Sequence, residues 1–243
     1  MKYEGSEAYE QDDFFEKYMA RRNREESPNN IIEKPIFFEL MKDVRNKSVL
    51  DLGCGDGKFG RELLESGCKY YIGVDGSSNM IKESSKNLQG TAGQTEYAKL
   101  ENWTFPKASY DLVTSRLVFH YIKEIAPIFE KVHDTLKDKG EFTFSVQHPI
   151  LTSSLKSGAK QGVHMDWIVD NYFERGEREE SWIDEKVVKY HRTLEDYFSL
   201  LIQTGFKVEE LREGMPQRVY FENEEDFLRR SRIPLFLIFS CSK

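Results

Sequence analysis

A small set of residues in the front third of the chain has the types and spacing to do chemistry together. Asp51 lies in an apolar run just ahead of the turn, Gly53, Gly55 and Gly57 follow it in VLDLGCGDGKFG, and Asp75 ends the next apolar run in GVDGS. Glycines so placed let the backbone turn at positive φ and approach a ligand closely. Gly55-x-Gly57-x-x-Gly60 matches a dinucleotide fingerprint, with a diphosphate on the following helix N-terminus and Asp75 on the ribose hydroxyls. Asp51 opposes that reading, because a carboxylate aimed into the crevice repels a diphosphate and attracts an ammonium group. A ligand with a cationic amino-acid end and a ribose end satisfies both acids. Gly60 reads as a helix-packing residue and Cys54 as a small filler.

Such a loop needs a strand before it and a helix after it. The short apolar runs SVLDL (48–52), YYIGV (70–74), YDLVTS (110–115) and GEFTFSV (140–146) alternate with segments of helical spacing, and a weaker strand, TEYAKL, fits at 95–100. Buried strands alternating with helices specify right-handed β-α-β units. The expected fold is α/β, a doubly wound, mostly parallel, seven-stranded Rossmann-like sheet with an N-terminal helical segment and an insertion after the fifth strand. Residues 1–45 form a helical cap, with one helix starting after Asp12 or Asp13 and another from Pro35 to Val44. Residues 46–147 form the ligand-binding core and 148–192 the insertion, where periodicity stops for too long to be an ordinary connection. Residues 193–243 complete the core, with Thr193 as N-cap and Gly205 past the end of a helix, then FKVEELRE and PLFLIFSC as closing strands.

At 243 residues the chain has length enough for a substantial core. Its 35 basic and 42 acidic residues leave a formal charge of −7, which disfavours nucleic acid as a partner. Cys54, Cys68 and Cys241 contain no C-x-x-C pair, so reduced thiols are expected and neither a zinc site nor any other metal site. With no signal-peptide pattern and no apolar run of membrane-spanning length, the expectation is a cytoplasmic protein, away from membranes, as monomer or homodimer.

S-adenosylmethionine is a ligand of the required kind. VLDLGCGDG, then GVDGS, then LENWTFPKASYDLVTSRLVFHYI together resemble the motif series of the class I S-adenosylmethionine-dependent methyltransferases. Tyr18 with Arg22, PNNIIEKP, SVQHPI and VVKYHRTLEDYF extend the likeness to a bacterial small-molecule subgroup. The resemblance implies that Asp51, Gly53 and Gly55 contact the methionine part and that Asp75 takes both ribose hydroxyls. It implies that Gly76 and Met80 lie on the adenine side, with Leu100 and Glu101 framing the ring. Ser115 would close the floor near the sulfonium, with Arg116 and His120 nearby, while Tyr18, Arg22 and Asn30 cover the cofactor and its carboxylate. Lys99 stands where related sequences often have an acid, so Glu101 or a backbone carbonyl would take the adenine amine.

For chemistry on the acceptor the candidates are His120, after the fourth strand, and His148, at the end of the fifth. Each is a possible base; His120 has an equal claim as a packing residue. His191 and Arg192 read as anchors of the insertion. Trp167, Tyr172, Phe173 and Trp182 suit either a small core of the lid or the wall of a substrate pocket. ERGEREE and FLRRSR read as solvated charge. TSRLVF replaces any N-P-P-[YF] loop, which weighs against base methylation. The implied activity is methyl transfer to an O or N atom of a small-molecule acceptor. An NAD-type oxidoreductase and a non-catalytic cofactor-binding protein stay open as alternatives.

Overall fold

Successive residues of a strand point to opposite faces of its sheet, and here both faces are apolar. Leu50, Ile72 and Val113 pack on one side with Phe129, Tyr197 and Leu201, while Val49, Tyr71 and Leu112 pack on the other with Phe37, Met41 and Leu63. A sheet buried on both faces has to be covered by helices twice over. The computed structural model describes residues 2–157, 159–160, 163–164 and 166–243.

The central sheet contains β1 (Ser48–Leu52), β2 (Tyr70–Asp75), β3 (Gly93–Tyr97), β4 (Tyr110–Arg116), β5 (Leu136–Gln147), β6 (Lys207–Arg212) and β7 (Phe236–Ser242). Its order is β6-β7-β5-β4-β1-β2-β3. β1 to β5 pair in parallel, and β7 is antiparallel to both β5 and β6. This is the doubly wound Rossmann-like α/β sheet. The strand order reverses beside β1, between it and β4, where ligands of such sheets bind.

The helices are α1 (Asp12–Arg22), α2 (Lys34–Met41), α3 (Lys58–Glu65), α4 (Ser78–Asn87), α5 (Ala126–Thr135), α6 (Pro149–Ser153), α7 (Leu194–Gln203) and α8 (Glu224–Arg230). Thr193 caps α7 in a full capping box with Asp196, and Gly205 follows at φ +90°. Gly60 on α3 leaves room for Tyr71, since a Cβ there would lie 2.3 Å from the ring.

Three elements differ from the sequence expectation. The strand expected at 95–100 starts two residues earlier, at Gly93, and ends three earlier, at Tyr97, which frees Lys99 and Leu100 for the loop beyond it. The second helix ends at Met41 instead of Val44 and is preceded by a π turn, Asn29–Glu33, with no break between them. Pro35 cannot donate to the carbonyl four residues back; the wider turn ahead of it, with the Lys34 N–H on the Asn29 carbonyl, accommodates that loss. ERGEREE forms half of a hairpin, Gly176–Trp182 against Glu185–His191. Lys2–Tyr3 joins that hairpin in parallel, so the cap and the insertion share a three-stranded sheet.

Candidate active site

The site begins where β1 ends. The Gly53 and Cys54 N–H groups both donate to the Val74 carbonyl, at 2.7 and 3.1 Å, which folds the loop over the tip of β2. Gly53 has φ +76°, and a Cβ there would lie 2.2 Å from Val118. Gly55 has φ +55° and open space where its Cβ would be. The loop therefore presents bare backbone to a cavity of about 740 Å³, within the usual range for ligand sites.

Asp75 closes β2 beside this loop. Its Oδ2 accepts the Gly55 N–H at 2.9 Å and its Oδ1 the Ser77 N–H at 2.8 Å, so it braces both the loop and the start of α4. Each oxygen keeps a second lone pair. Burial pushes its pKa up to about 6, against those two N–H groups. Asp51 borders a side pocket of about 70 Å³ shared with Tyr18, Arg22 and Arg116. Tyr71 donates to its Oδ2 at 2.7 Å and Thr114 to its Oδ1 at 2.9 Å; burial again raises the pKa to about 6.

The N-terminal segment covers this end. Ser6 donates to the Gly76 carbonyl at 2.8 Å, and Glu10 accepts from the Ser78 N–H and hydroxyl. Lys99 is drawn to Glu7 at 3.1 Å. Tyr18, Arg22, Gly76, Met80, Leu100 and Glu101 all line the cavity. Asn30 does not; its side-chain oxygen holds the Arg22 guanidinium at 2.9 Å.

Two more residues lie away from the cavity. Ser115 is fully buried and donates to the Leu52 carbonyl at 2.8 Å, tying β4 to β1, and Arg116, Leu117 and Val118 form the wall in its place. His148 caps α6 through Nδ1, which accepts the Ile150 N–H at 3.1 Å, and its Nε2 meets Glu213 at 3.1 Å. With both nitrogens engaged there, the expectation that His148 acts on an acceptor gives way to a capping role.

His120 does line the cavity. Its Nδ1 accepts the Gln147 N–H at 3.3 Å, which assigns the neutral ring's proton to Nε2. Burial, with Lys189 and Arg192 nearby, lowers its pKa well below the ordinary value. The ring is therefore a neutral donor toward any group at Nε2, and accepting a proton there would cost the Gln147 bond.

The wall joins residues that the sequence points to, Arg116, Trp167 and Trp182, with others that carry no sequence signal, Leu117 and Lys189. Arg116 forms a forked pair with the fully buried Glu33, Ser145 donates to Glu33 at 2.7 Å, and the guanidinium lies over Phe37 and Phe59. Leu117 takes φ +61°, a strained conformation for leucine. From the hairpin comes Lys189, paired with Glu180, bonded to Gln147 at 2.8 Å and lying over Tyr121 and Trp182. Burial opposes its charge, but Tyr121 and Glu180 raise its pKa above the ordinary lysine value. Trp182 serves as both core and wall, packing edge-on against Tyr9, Phe14 and Tyr18 while lining the cavity with Trp167. Tyr172 packs on His191, which bonds Thr152 and the Tyr172 carbonyl, whereas Phe173 faces solvent.

A Rossmann-like sheet with a bare glycine loop at its switch point, one acid by the loop and another at the end of the next strand defines a nucleoside-binding enzyme of the methyltransferase class. The sequence profile described as methyltransferase domain matches residues 18–211, and the chain belongs to that family. It is 34% identical to an uncharacterized protein of Haemophilus influenzae over 85% of each chain. It is 33% identical to trans-aconitate 2-methyltransferase of Rhizobium etli over 42% of this chain and 39% of that one. A crystal structure of an S-adenosylmethionine-dependent methyltransferase from Mesorhizobium loti superposes with a TM-score of 0.80 at 31% identity, covering 89% of this chain and 98% of that one.

The protein is an S-adenosylmethionine-dependent methyltransferase. The open space at Gly55 and the spare lone pairs of Asp75 fit that cofactor, as does the acid at the side pocket shared with Arg22. No helix among the described residues is long and apolar enough to cross a membrane.

Proposed function

We propose that the methyl acceptor is a small metabolite, methylated on an oxygen or nitrogen atom. The observation that carries this reading is the composition of the cavity wall: the glycine loop, the N-terminal segment and the hairpin all contribute to one space of about 740 Å³. That volume suits a nucleoside cofactor with a small partner. The similarity to trans-aconitate 2-methyltransferase supports a small acceptor as well.

S-adenosylmethionine, when bound, supplies a methyl group on a sulfonium centre. Asp75 would hold the ribose hydroxyls and Asp51 the ammonium, with Arg22 and Tyr18 at the carboxylate, while Gly53 and Gly55 provide backbone. Gly76, Met80, Leu100 and Glu101 would surround the adenine. The hairpin aromatics would exclude water, and His120 would orient the acceptor by donating from Nε2, so that the protein acts by alignment and desolvation. The test is transfer of tritiated methyl from S-adenosylmethionine into a bacterial extract separated by size. Label in the small-molecule fraction is expected, and label confined to macromolecules overturns the reading.

A further inference from the structure

Among the described residues, six lysine and arginine side chains line the cavity, and three of them have a carboxylate partner. Lys99 pairs with Glu7, Arg116 with Glu33 and Lys189 with Glu180. Arg22 is held by Asn30 beside the Asp51 pocket, and Lys123 is exposed. Arg230 is in a different position. It ends α8, is half-buried in the wall, and among the described residues has neither an ion pair nor a side-chain hydrogen bond.

Its electrostatic neighbours make this costly. Burial, followed by the like charge of Arg229, brings its pKa down to about 10; Asp226 acts the other way, and Arg24 adds further repulsion. Asp226 is itself bonded to Arg229 at 2.8 Å. A guanidinium withdrawn from water beside like charges is destabilising unless an anion meets it, and its planar fork matches a carboxylate or phosphate. Apolar side chains, Leu151, Leu235 and Phe236, line the same cavity.

We propose, building on the small-molecule reading, that the acceptor is an organic anion whose carboxylate or phosphate pairs with Arg230 while its apolar part rests on Leu151, Leu235 and Phe236. Arg230 is then a specificity-determining residue. The run FLRRSR, which reads as solvated charge in the sequence, supplies it.

The experiment uses the full chain saturated with S-adenosylhomocysteine and titrated calorimetrically with glutarate, with glycerol 3-phosphate and with neutral glutaramide. At least one anion is expected to bind saturably and more tightly than glutaramide, and the stronger of the two identifies the preferred group. Arg230→Met should weaken that anion by about tenfold or more, the scale for losing one partner of a desolvated charge pair. Arg230→Lys should recover part of it. S-adenosylhomocysteine affinity should stay unchanged in Arg230→Met, and the melting temperature should not fall, since the substitution removes an unpaired buried charge. Equal anion binding by that variant and the parent overturns the proposal, as does the absence of saturable binding by either anion. A weakened S-adenosylhomocysteine affinity would place Arg230 on the cofactor's own carboxylate and also overturn it. Methylation of a neutral or cationic metabolite would defeat the anion inference and leave the small-molecule reading intact, whereas label confined to macromolecules would defeat that reading.

Discussion

The two sides of the cavity are each built around a buried ion pair, but their surroundings differ. On the sheet side, Glu33 is fully buried, accepts from Ser145 as well as Arg116, and the guanidinium lies against Phe37 and Phe59. On the hairpin side, Lys189 is 7% exposed but its partner Glu180 is 25% exposed, on a two-stranded ribbon whose other edge carries only Lys2–Tyr3. The carboxylate of the first pair is shut off from water, whereas that of the second reaches it. The sheet side is therefore preorganised, and the hairpin side is held by contacts that water can replace.

Breaking the two pairs separately is the sharpest test of that contrast. Glu33→Gln strands a buried guanidinium and should cost about 3–5 kcal/mol in a denaturant titration. Asp75→Ala should weaken S-adenosylhomocysteine by at least about tenfold through its ribose bonds, with a stability loss of roughly 1–3 kcal/mol from the unpaired Gly55 and Ser77 N–H groups. Unchanged affinity would remove Asp75 from the ribose. Lys189→Met leaves Glu180 able to rehydrate and should cost only about 1 kcal/mol. Equal losses for Glu33→Gln and Lys189→Met would sink the contrast.

A pH series separates binding from stability. Asp51 and Asp75 have folded pKa values raised to about 6 by burial, above those of the unfolded chain. Their contribution to stability is therefore fully present at pH values below the unfolded pKa and is lost as pH rises through about 6. With Asp51 on the ammonium and Asp75 on the ribose, as proposed, binding requires both ionised, so affinity should fall as pH drops through about 6, without destabilisation from these two acids in that window. Loss of both together would contradict the assignment. The smallest effect is expected at the rim: Lys2→Ala removes exposed pairs with Glu177 and Glu179 and should leave the melting curve unchanged.

How far the sequence could be read follows the same division. The alternation in SVLDL, YYIGV and YDLVTS specifies strands because both sheet faces are apolar, and the glycine loop with Asp51 and Asp75 has a spacing set by the strand-turn-helix geometry it serves. The hairpin offers neither signal. Its strands GEREESW and EKVVKYH are charged at many positions, and its turn is Ile183–Asp184 at φ +52° and +66°, where Asn-Gly would be the recognisable choice. Lys189 and Glu180 meet diagonally only because Val187 is in register with Glu180, which a local pattern cannot reveal. His148 misleads for a related reason: a histidine after a strand end has the same sequence context whether it faces a ligand or caps the next helix.

The strand Lys2–Tyr3 has a consequence for how the molecule assembles. Its register partners are Lys186 and Val187, so during synthesis this pairing waits until β1 to β5, which lie between the two in sequence, have been made. Contacts so distant along the chain are slow to close. The five parallel strands, complete by Gln147, are free to form first. The cavity is then sealed last, by residues that precede the sheet in sequence.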